Sequence, residues 1–202
     1  MKYFWLLLLF NLVATATVSA QAADANCSET ANKLLRQAWI AQPMNVPENN
    51  GDPGKAEGLY KQAINDSPKC RRAAGLLVAL LNRGKKYSEA YDYNEKLLRQ
   101  FPDDPGGLSE KADLVSRINK DYPLALEIET KLLKVPDFNK NGNVFYKIAR
   151  IYSLMNQSDN SLNYLKRALD IDKGWGNKAN AQGDSGFENL RKDPRFRALV
   201  KK

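Results

Sequence analysis

Few side chains in this sequence of 202 residues could carry out covalent or metal chemistry. The sequence contains two cysteines and no histidine. A Ser-His-Asp or Cys-His arrangement is therefore excluded, as is a histidine-bound zinc or iron site. Paired carboxylates could still perform acid–base catalysis, and Glu127/Glu129 and Asp103/Asp104 are the candidates. Because these pairs fall on predicted helix surfaces and turns, solvated charge explains them, and we expect a protein that is not an enzyme.

One segment has the opening pattern of a calcium-binding loop. Residues 137–142 read Asp-Phe-Asn-Lys-Asn-Gly, with oxygen ligands at alternate positions before a glycine. The position that should supply a bidentate glutamate is Ile148, however. Without that ligand the segment would hold calcium poorly, so we interpret it as a turn between helices. We expect neither a metal nor a cofactor.

The elements that would position these residues repeat along the chain. Small residues recur at spacings of 34, 35 and 36, at Ala56, Ala90, Ala125 and Ser161. A period of this length is typical of stacked helical hairpins. Apolar side chains also fall at helical spacing on both sides of each small residue. The sequence therefore predicts about four helical hairpins.

The first hairpin is irregular. Its opening helix is predicted over residues 28–41, but three prolines and two glycines follow, at Pro43, Pro47, Pro53, Gly51 and Gly54. Since these residue types disfavour helix, we expect a polar loop across this stretch. The second helix of the hairpin is then predicted over residues 55–66.

At these positions the chain resembles the tetratricopeptide repeat family. The proline that closes a repeat in this family matches Pro68, Pro102 and Pro136. The small and aromatic residues of the family's first helix match Ala149 and Tyr152. Leu97 and Leu132 depart from a later small position, and no proline closes the last copy. The resemblance covers residues 30–173 and implies an all-α fold, a right-handed superhelical array of about four hairpins that binds other proteins.

The C-terminal segment follows another pattern. Phe187 and Leu190 precede Asp193-Pro194-Arg195-Phe196 and Leu199. This order is similar to the tail that closes many bacterial arrays of the same family. The resemblance implies a capping helix over part of residues 174–202. Its apolar side chains would cover the exposed end of the array, as terminal repeats must. The apolar side chains concerned are Phe187, Leu190, Phe196 and Leu199.

The first 20 residues do not fit the repeats. One basic residue, an apolar run and a small-x-small ending at Ala20 indicate a signal peptide, residues 1–20, which leaves an array over residues 21–173. An uncleaved membrane anchor is one alternative, and a lipid anchor at Cys27 is another. Polar residues weaken the apolar run, and Asp24-Ala25-Asn26 is unlike a lipidation motif. We therefore expect a periplasmic or secreted protein.

The two cysteines fit an exported chain. Cys27 and Cys70 each stand just before the first helix of a predicted hairpin. The corresponding ends of stacked hairpins are neighbours on one rim, so we expect a disulfide between them. Two unpaired thiols in a reducing compartment are the alternative.

A binding groove is expected where the first helices of the hairpins line the concave face. Side chains one helical step from the buried stripe would point into it, namely Arg72, Asn82, Arg83, Arg117, Tyr146 and Arg150. Arginines pair with carboxylates in fork geometry, so an acidic or C-terminal peptide would suit the groove. Merely solvated arginines are the alternative. Gly75 and Ala79 replace the Lys and Asn of the family's carboxylate clamp, which removes any expectation of chaperone-tail recognition.

The function predicted from these features is non-enzymatic protein binding by an exported adaptor or scaffold. Its formal net charge of +8 favours acidic partners, although excess charge also promotes solubility. Nucleic acid is not an expected partner outside the cytoplasm. The alternative is an envelope-associated structural scaffold, held on an anionic surface by a basic tail. The cations of this tail are Arg191, Lys192, Arg195, Arg197, Lys201 and Lys202.

Overall fold

The computed structural model describes residues 26–42, 51–172 and 181–201. Within these ranges all regular secondary structure is helical. Eight α-helices form four consecutive hairpins: α1 (Glu29–Ile40) with α2 (Pro53–Asp66), α3 (Arg71–Arg83) with α4 (Tyr87–Gln100), α5 (Pro105–Ile118) with α6 (Tyr122–Leu132), and α7 (Gly142–Leu154) with α8 (Ser158–Ile171). The prediction of an all-α array of hairpins is confirmed.

Shorter elements precede and follow the last hairpin. A 3-10 helix, Phe138–Lys140, leads into α7, and a second one, Ser185–Leu190, is followed by α9 (Pro194–Val200). The predicted signal peptide lies outside the described residues, as do most of the loop between α1 and α2 and residues 174–180 of the predicted tail. Among the described helices, none is both long and apolar enough to cross a bilayer.

Aspartate caps set where several helices begin. Asp104, Asp121 and Asp193 each accept a hydrogen bond from a backbone N–H in the first turn of α5, α6 and α9. Asp52 does the same for α2, which begins at Pro53. The prediction that the loop extends through Pro53 is therefore wrong. At the first helical position a proline's missing N–H costs nothing, because that N–H has no partner inside the helix.

The recurring small residues lie where the two helices of each hairpin meet. Ala56, Ala90, Ala125 and Ser161 are all fully buried. A larger side chain there would push the helices apart, and this explains why the period is visible in the sequence. Ser161 adds a polar contact, since its hydroxyl donates to the carbonyl of Ala149 in α7 at 2.8 Å. These positions serve packing, not chemistry.

Three of the hairpin turns share one backbone conformation. Lys85, Lys120 and Asn156 have positive φ angles of 60°, 55° and 58°. Each stands two residues after the last residue of the first helix, in the left-handed conformation that commonly ends helices. Glycine is the usual residue in this left-handed position, so Lys85 and Lys120 give no signal of the turn in the sequence.

The segment with a calcium-loop pattern forms the connection between α6 and α7. Asp137 has a positive φ of 70°, and the Asn141 side chain caps α7 by accepting from the backbone N–H of Asn143 at 2.9 Å. Ile148 is buried in the core. The segment is therefore an inter-helix turn, as interpreted from the sequence. Across the described ranges, no three potential metal-ligating side chains form a cluster.

The predicted disulfide between Cys27 and Cys70 is present. It ties the residue before the cap of α1 to the N-cap residue of α3, with their Cα atoms 4.5 Å apart. Hydrogen bonds reinforce this junction. The Ser28 backbone N–H donates to the Ser67 hydroxyl at 3.1 Å, and that hydroxyl donates to the carbonyl of Asn26 at 3.2 Å. The start of α1 is thus fixed against the turn between α2 and α3.

The C-terminal segment packs on the last hairpin. Phe187, Leu190, Phe196 and Val200 are buried in one cluster with apolar side chains of α7 and α8, and Leu199 is half-buried beside them. Phe187 contacts Phe196, with ring centroids 5.7 Å apart. Four of these five side chains are the ones that the sequence predicts to cover the end of the array.

Reduction of the disulfide should lower the free energy of unfolding. The bond joins residues 43 apart, and on the chain-entropy model closing a loop of this size contributes about 4 kcal/mol as an upper estimate. Urea unfolding with and without reductant measures the difference. A Cys27→Ser/Cys70→Ser protein is the control, because reductant should not change its stability. Two alkylatable thiols in the unreduced protein would contradict the prediction.

Candidate functional site

The first helices of the last three hairpins adjoin one another and share a polar face, called the inner face below. Its residues are Arg72, Gly75, Ala79, Asn82 and Arg83 on α3, Glu110, Asp113 and Arg117 on α5, and Tyr146, Arg150 and Ser153 on α7. All six predicted groove residues belong to it. Asn82, Arg117, Tyr146 and Arg150 belong to one hydrogen-bonded network. Arg72 and Arg83, on α3, lie outside this network and make other contacts.

Asp113 is the centre of this network. Its side chain is nearly buried, and its Oδ2 accepts from Asn82 Nδ2 at 2.8 Å and from Arg117 Nε at 2.7 Å. Oδ1 lies 3.5 Å from Arg150 Nη1. One carboxylate on α5 therefore links side chains from α3, α5 and α7. Asn82 also donates to Glu110 at 2.8 Å, which adds a second link between α3 and α5.

The surrounding cations keep Asp113 ionised. Burial alone would raise the pKa of this carboxyl, but Lys147, Arg117 and Arg150 together hold it below its ordinary value. The effect is mutual for Arg117. Burial would lower the pKa of its guanidinium, whereas Asp113 raises it. Both members of the contact therefore stay charged, and neither Arg117 nor Arg150 is held only by solvent, which was the alternative considered from the sequence.

The C-terminal segment covers the α7 part of the inner face. Asp184 accepts from the Tyr146 hydroxyl at 3.1 Å and from Arg150 Nε at 3.2 Å. Tyr146 and Arg150 are only 8 % and 6 % exposed. Burial, and then Asp184, raise the pKa of the Tyr146 phenol, so it keeps its proton and donates. The Asp184 carboxylate of the chain itself is thus bound by Tyr146 and Arg150, two of the residues predicted to line the groove.

The α3 part of the inner face is open by comparison. Among the described residues, a Cβ atom added at Gly75 would have no neighbour within 4 Å, and Ala79 is only partly buried. Arg72 and Arg83 stand at opposite ends of this strip, about 16 Å apart at the helical rise of 1.5 Å per residue. Arg83 is exposed and donates to the Gln42 side chain at 2.8 Å.

Sequence reasoning missed the acids of the inner face. Asp113 interrupts the apolar stretch Ala112-Asp113-Leu114-Val115, and a lone acid in such a run is a signal for a paired, buried carboxylate. Asp184 carries no comparable signal, because it stands in a polar stretch among Gly, Ser and Gln. Its role follows only from the tertiary contact with α7.

The geometry agrees with known helical arrays. MamA 41-end from Desulfovibrio magneticus RS-1, a tetratricopeptide-repeat protein, matches with a TM-score of 0.57 at 16% identity, over 86% of this chain and 91% of that one. The ArsTM double mutant of MamA RS-1 also gives 0.57, at 14% identity, over 86% of this chain and 96% of that one. The chain has a tetratricopeptide-type fold. No protein-family model matches the sequence, and no curated protein matches it significantly.

A second charged cluster of this tetratricopeptide-type array lies behind the inner face. Glu129 of α6 is 0 % exposed and accepts from the Ser109 hydroxyl of α5 at 2.8 Å. Lys147 of α7 donates to the same hydroxyl at 2.9 Å. The expectation that Glu129 lies on a solvated helix surface is wrong, whereas its neighbour Glu127 is exposed and pairs with Lys131. The two glutamates point to opposite sides of α6, since they stand two residues apart.

Glu129 titrates well above an ordinary glutamate. Burial raises its pKa to about 7, and the opposing effects of Lys147 and the Ser109 hydrogen bond do not offset this. The ion pair to Lys147 is weak, since Nζ lies 4.0 Å from Oε1 and only 3.4 Å from Glu110. The other oxygen, Oε2, has no hydrogen-bond partner within the described residues. Desolvation therefore dominates the titration of Glu129.

The Ser109–Lys147 contact has the distance of a serine–lysine catalytic dyad but not its chemistry. A lysine that acts as a general base must lose its proton near neutral pH. Burial would lower the pKa of Lys147, but Glu110, Glu129 and Asp113 raise it above its ordinary value. The ammonium thus stays protonated, and Ser109 is itself buried. The arrangement supports cross-linking of α5, α6 and α7 and no nucleophilic step.

Stability should fall as pH rises from about 4.5 to about 7 because of Glu129. Below its ordinary pKa of 4.5 the carboxyl is neutral in both the folded and unfolded states, so no penalty arises. Above that pH the unfolded chain ionises first, and the folded state loses at most about 3 kcal/mol in relative stability by pH 8. Glu129→Gln, which stays neutral, should reduce this fall.

Urea unfolding at a series of pH values measures this dependence. Glu127→Gln is the matched control on the same helix, and it should keep the wild-type pH profile. Identical profiles for wild type and Glu129→Gln would contradict the assignment.

Proposed function

We propose that this chain is an exported, non-catalytic adaptor that holds an acidic segment of a client protein against its inner face. The tetratricopeptide-type fold supports protein binding in general. The observation that carries the finer proposal is the open strip on α3, which is lined by small residues and bounded by arginines.

The open strip on α3 is only a part of the groove expected from the sequence. Gly75 and Ala79 leave room for a peptide backbone close to α3, where Tyr146 and Arg150 fill the equivalent positions on α7. Of the six residues predicted to line the groove, Tyr146 and Arg150 lie beneath the C-terminal segment. We therefore assign the client to Arg72, Arg83 and Arg117. Asn82 was also predicted to line the groove, but its amide already donates to Glu110 and Asp113.

Electrostatics favours an acidic client for this strip. The sequence carries a formal net charge of +8, which attracts anionic partners over distances of about a Debye length. Arg117 is already oriented, because it is held by Asp113 and its guanidinium stacks over the Tyr87 ring at 5.6 Å. An oriented arginine loses less side-chain freedom when it pairs with a carboxylate.

The domain organisation and location are part of the same proposal. Residues 1–20 form a cleaved signal peptide, residues 21–173 the array and residues 174–202 a cap. The Cys27–Cys70 disulfide supports an oxidising compartment, such as the periplasm or the exterior of the cell. Burial of Phe187 and Phe196 on the last hairpin supports the cap.

The groove is better supported than attachment through the basic tail. Arg191 pairs with Glu188, and Arg195 pairs with Asp193 and with Asp159 of α8. Two of the six tail cations thus have acidic partners within the chain. Exposed pairs of this kind are screened by salt and leave less charge for an anionic surface.

Reversing the charge at Arg83 should weaken client binding. A Glu at this position would repel an acidic segment, and we expect Arg83→Glu to weaken capture of client proteins from an envelope extract by at least tenfold, about 1.4 kcal/mol. Arg99→Glu is the matched control, since Arg99 is an exposed arginine in the last turn of α4. Quantitative mass spectrometry of the captured proteins measures the effect. Unchanged capture by Arg83→Glu would rule out the strip on α3.

Export should remove the first 20 residues. N-terminal sequencing of the protein from its native host should start at Gln21, because cleavage follows the small-x-small pattern that ends at Ala20. Comparison with the intact mass of the same sample serves as the control. A chain that retains Met1 and sediments with the membrane would show that the leader is an anchor.

A further inference from the structure

We propose that the α7 part of the inner face is a second binding site, which the chain's own residues 184–190 occupy until a client segment of similar chemistry replaces them. That chemistry is an acidic residue followed two and three positions later by a glycine and an aromatic residue, as in Asp184-Ser185-Gly186-Phe187. The inference rests on the proposed protein-binding function but uses a different part of the inner face.

The contacts of this segment are those of a bound peptide. Its acidic end is held by Tyr146 and Arg150 at 3.1 and 3.2 Å, through Asp184. At its other end, the Asn189 amide donates to the backbone carbonyl of Ser153 at 2.8 Å and accepts from the hydroxyl of the same residue. Side chains spaced along one face of α7 thus recognise polar groups at both ends of the segment.

An aromatic anchor lies between the two polar ends. Phe187 is 0 % exposed and meets the Tyr146 ring edge-on, with centroids 5.5 Å apart. Its backbone is not helical, with φ −108° and ψ 15°, so the segment does not dock as a regular helix packed on α7. A buried aromatic side chain flanked by polar contacts is the usual anchor of a peptide interface.

Glycine is required at the point of closest approach. A Cβ atom at Gly186 would lie 2.6 Å from Arg150 Cγ and 2.7 Å from Arg150 Nε. Arg150 cannot easily move away, because its guanidinium is also held by Asp113 at 3.5 Å. The site therefore selects glycine at this position of any segment that occupies it.

The receptor half of the site does not depend on the segment. Arg150 contacts Asp113 at 3.5 Å, and Asp113 accepts from Asn82 and Arg117, none of which belongs to the segment. We therefore expect these contacts to persist when Asp184 leaves. An arginine that stays oriented in this way leaves a preorganised carboxylate site when the segment departs. The segment's hold on Arg150 is a contact to one carboxylate, which a carboxylate from another chain can replace.

The test uses a labelled peptide with the sequence of residues 183–191 and the full mature chain. Gly186→Ala should weaken docking of the internal segment without changing Tyr146 or Arg150, so we expect it to bind the peptide at least tenfold more tightly than wild type by fluorescence anisotropy. Gly183→Ala is the matched control, because a Cβ there has no neighbour within 4 Å in the part of the chain that the structure describes. It should bind like wild type.

Two further measurements keep the result decisive. Asp184→Asn preserves the shape of the internal segment and removes its charge, so it should also bind the peptide more tightly if Gly186→Ala disturbs the fold. A peptide that carries Asn in place of Asp184 should bind none of the proteins. If neither variant gains affinity while both keep wild-type circular dichroism, the site is not exchangeable and the inference is wrong. Arg83→Glu does not touch this site, so a failure here leaves the client site on α3 to its own test.

Discussion

The inner face depends on the charge of Asp113. A carboxylate at this depth is costly unless cations and hydrogen-bond donors surround it, and here α3, α5 and α7 each supply one. Removal of Arg117 or Arg150 would leave the buried Asp113 carboxylate with less compensating charge, which is more costly than the loss of one exposed ion pair. The network therefore fixes how three consecutive first helices meet. It also explains why Arg117 and Arg150 on this face are oriented side chains and not flexible ones.

The first helix of a hairpin makes different kinds of contact on its two sides. Small residues such as Ala90 and Ala125 allow the two helices of a hairpin to approach, and apolar contacts hold them. Between hairpins, by contrast, the contacts include Asp113 with its partners and the Glu129–Ser109–Lys147 cluster. Polar contacts are directional, whereas apolar packing tolerates sliding. Apolar packing also joins neighbouring hairpins, since one buried cluster contains Ala56, Leu77 and Leu114 of three successive hairpins. The hydrogen bonds add a directional constraint on how these hairpins are placed.

The repeating parts of this fold could be predicted because they follow from spacing. The small residues at a period of 34 to 36, the aspartate caps and the cysteines on one rim are local or periodic features, and each is found in the structure. The beginning of α2 could be missed because Pro53 reads as a breaker unless the Asp52 cap is recognised. The burial of Glu129 could not be predicted from the sequence. Its neighbours Ser109 and Lys147 are 20 and 18 residues away, and only the stacking of hairpins brings them together.

The candidate site shows the same limit more sharply. Helical position placed Arg117, Tyr146 and Arg150 on the correct face, yet position says nothing of what else occupies that face. Asp184 lies 34 residues from Arg150 in the sequence, and no periodic pattern connects them. The inner face predicted as one uniform groove is therefore two regions, an open strip on α3 and a covered one on α7.

The two ends of the described array are closed by bonds of different kinds, and this gives the molecule a mechanical polarity. The disulfide places 43 residues of sequence, about 150 Å of extended chain, behind a covalent bond. A force applied to the N-terminus passes directly from Cys27 to the start of α3 and bypasses the first hairpin. At the other end of the described array, apolar contacts and hydrogen bonds, which are non-covalent, hold Phe187 and α9 against α7 and α8. Under tension the C-terminal segment therefore detaches first. The residues between Cys27 and Cys70 do not extend as long as the disulfide is intact.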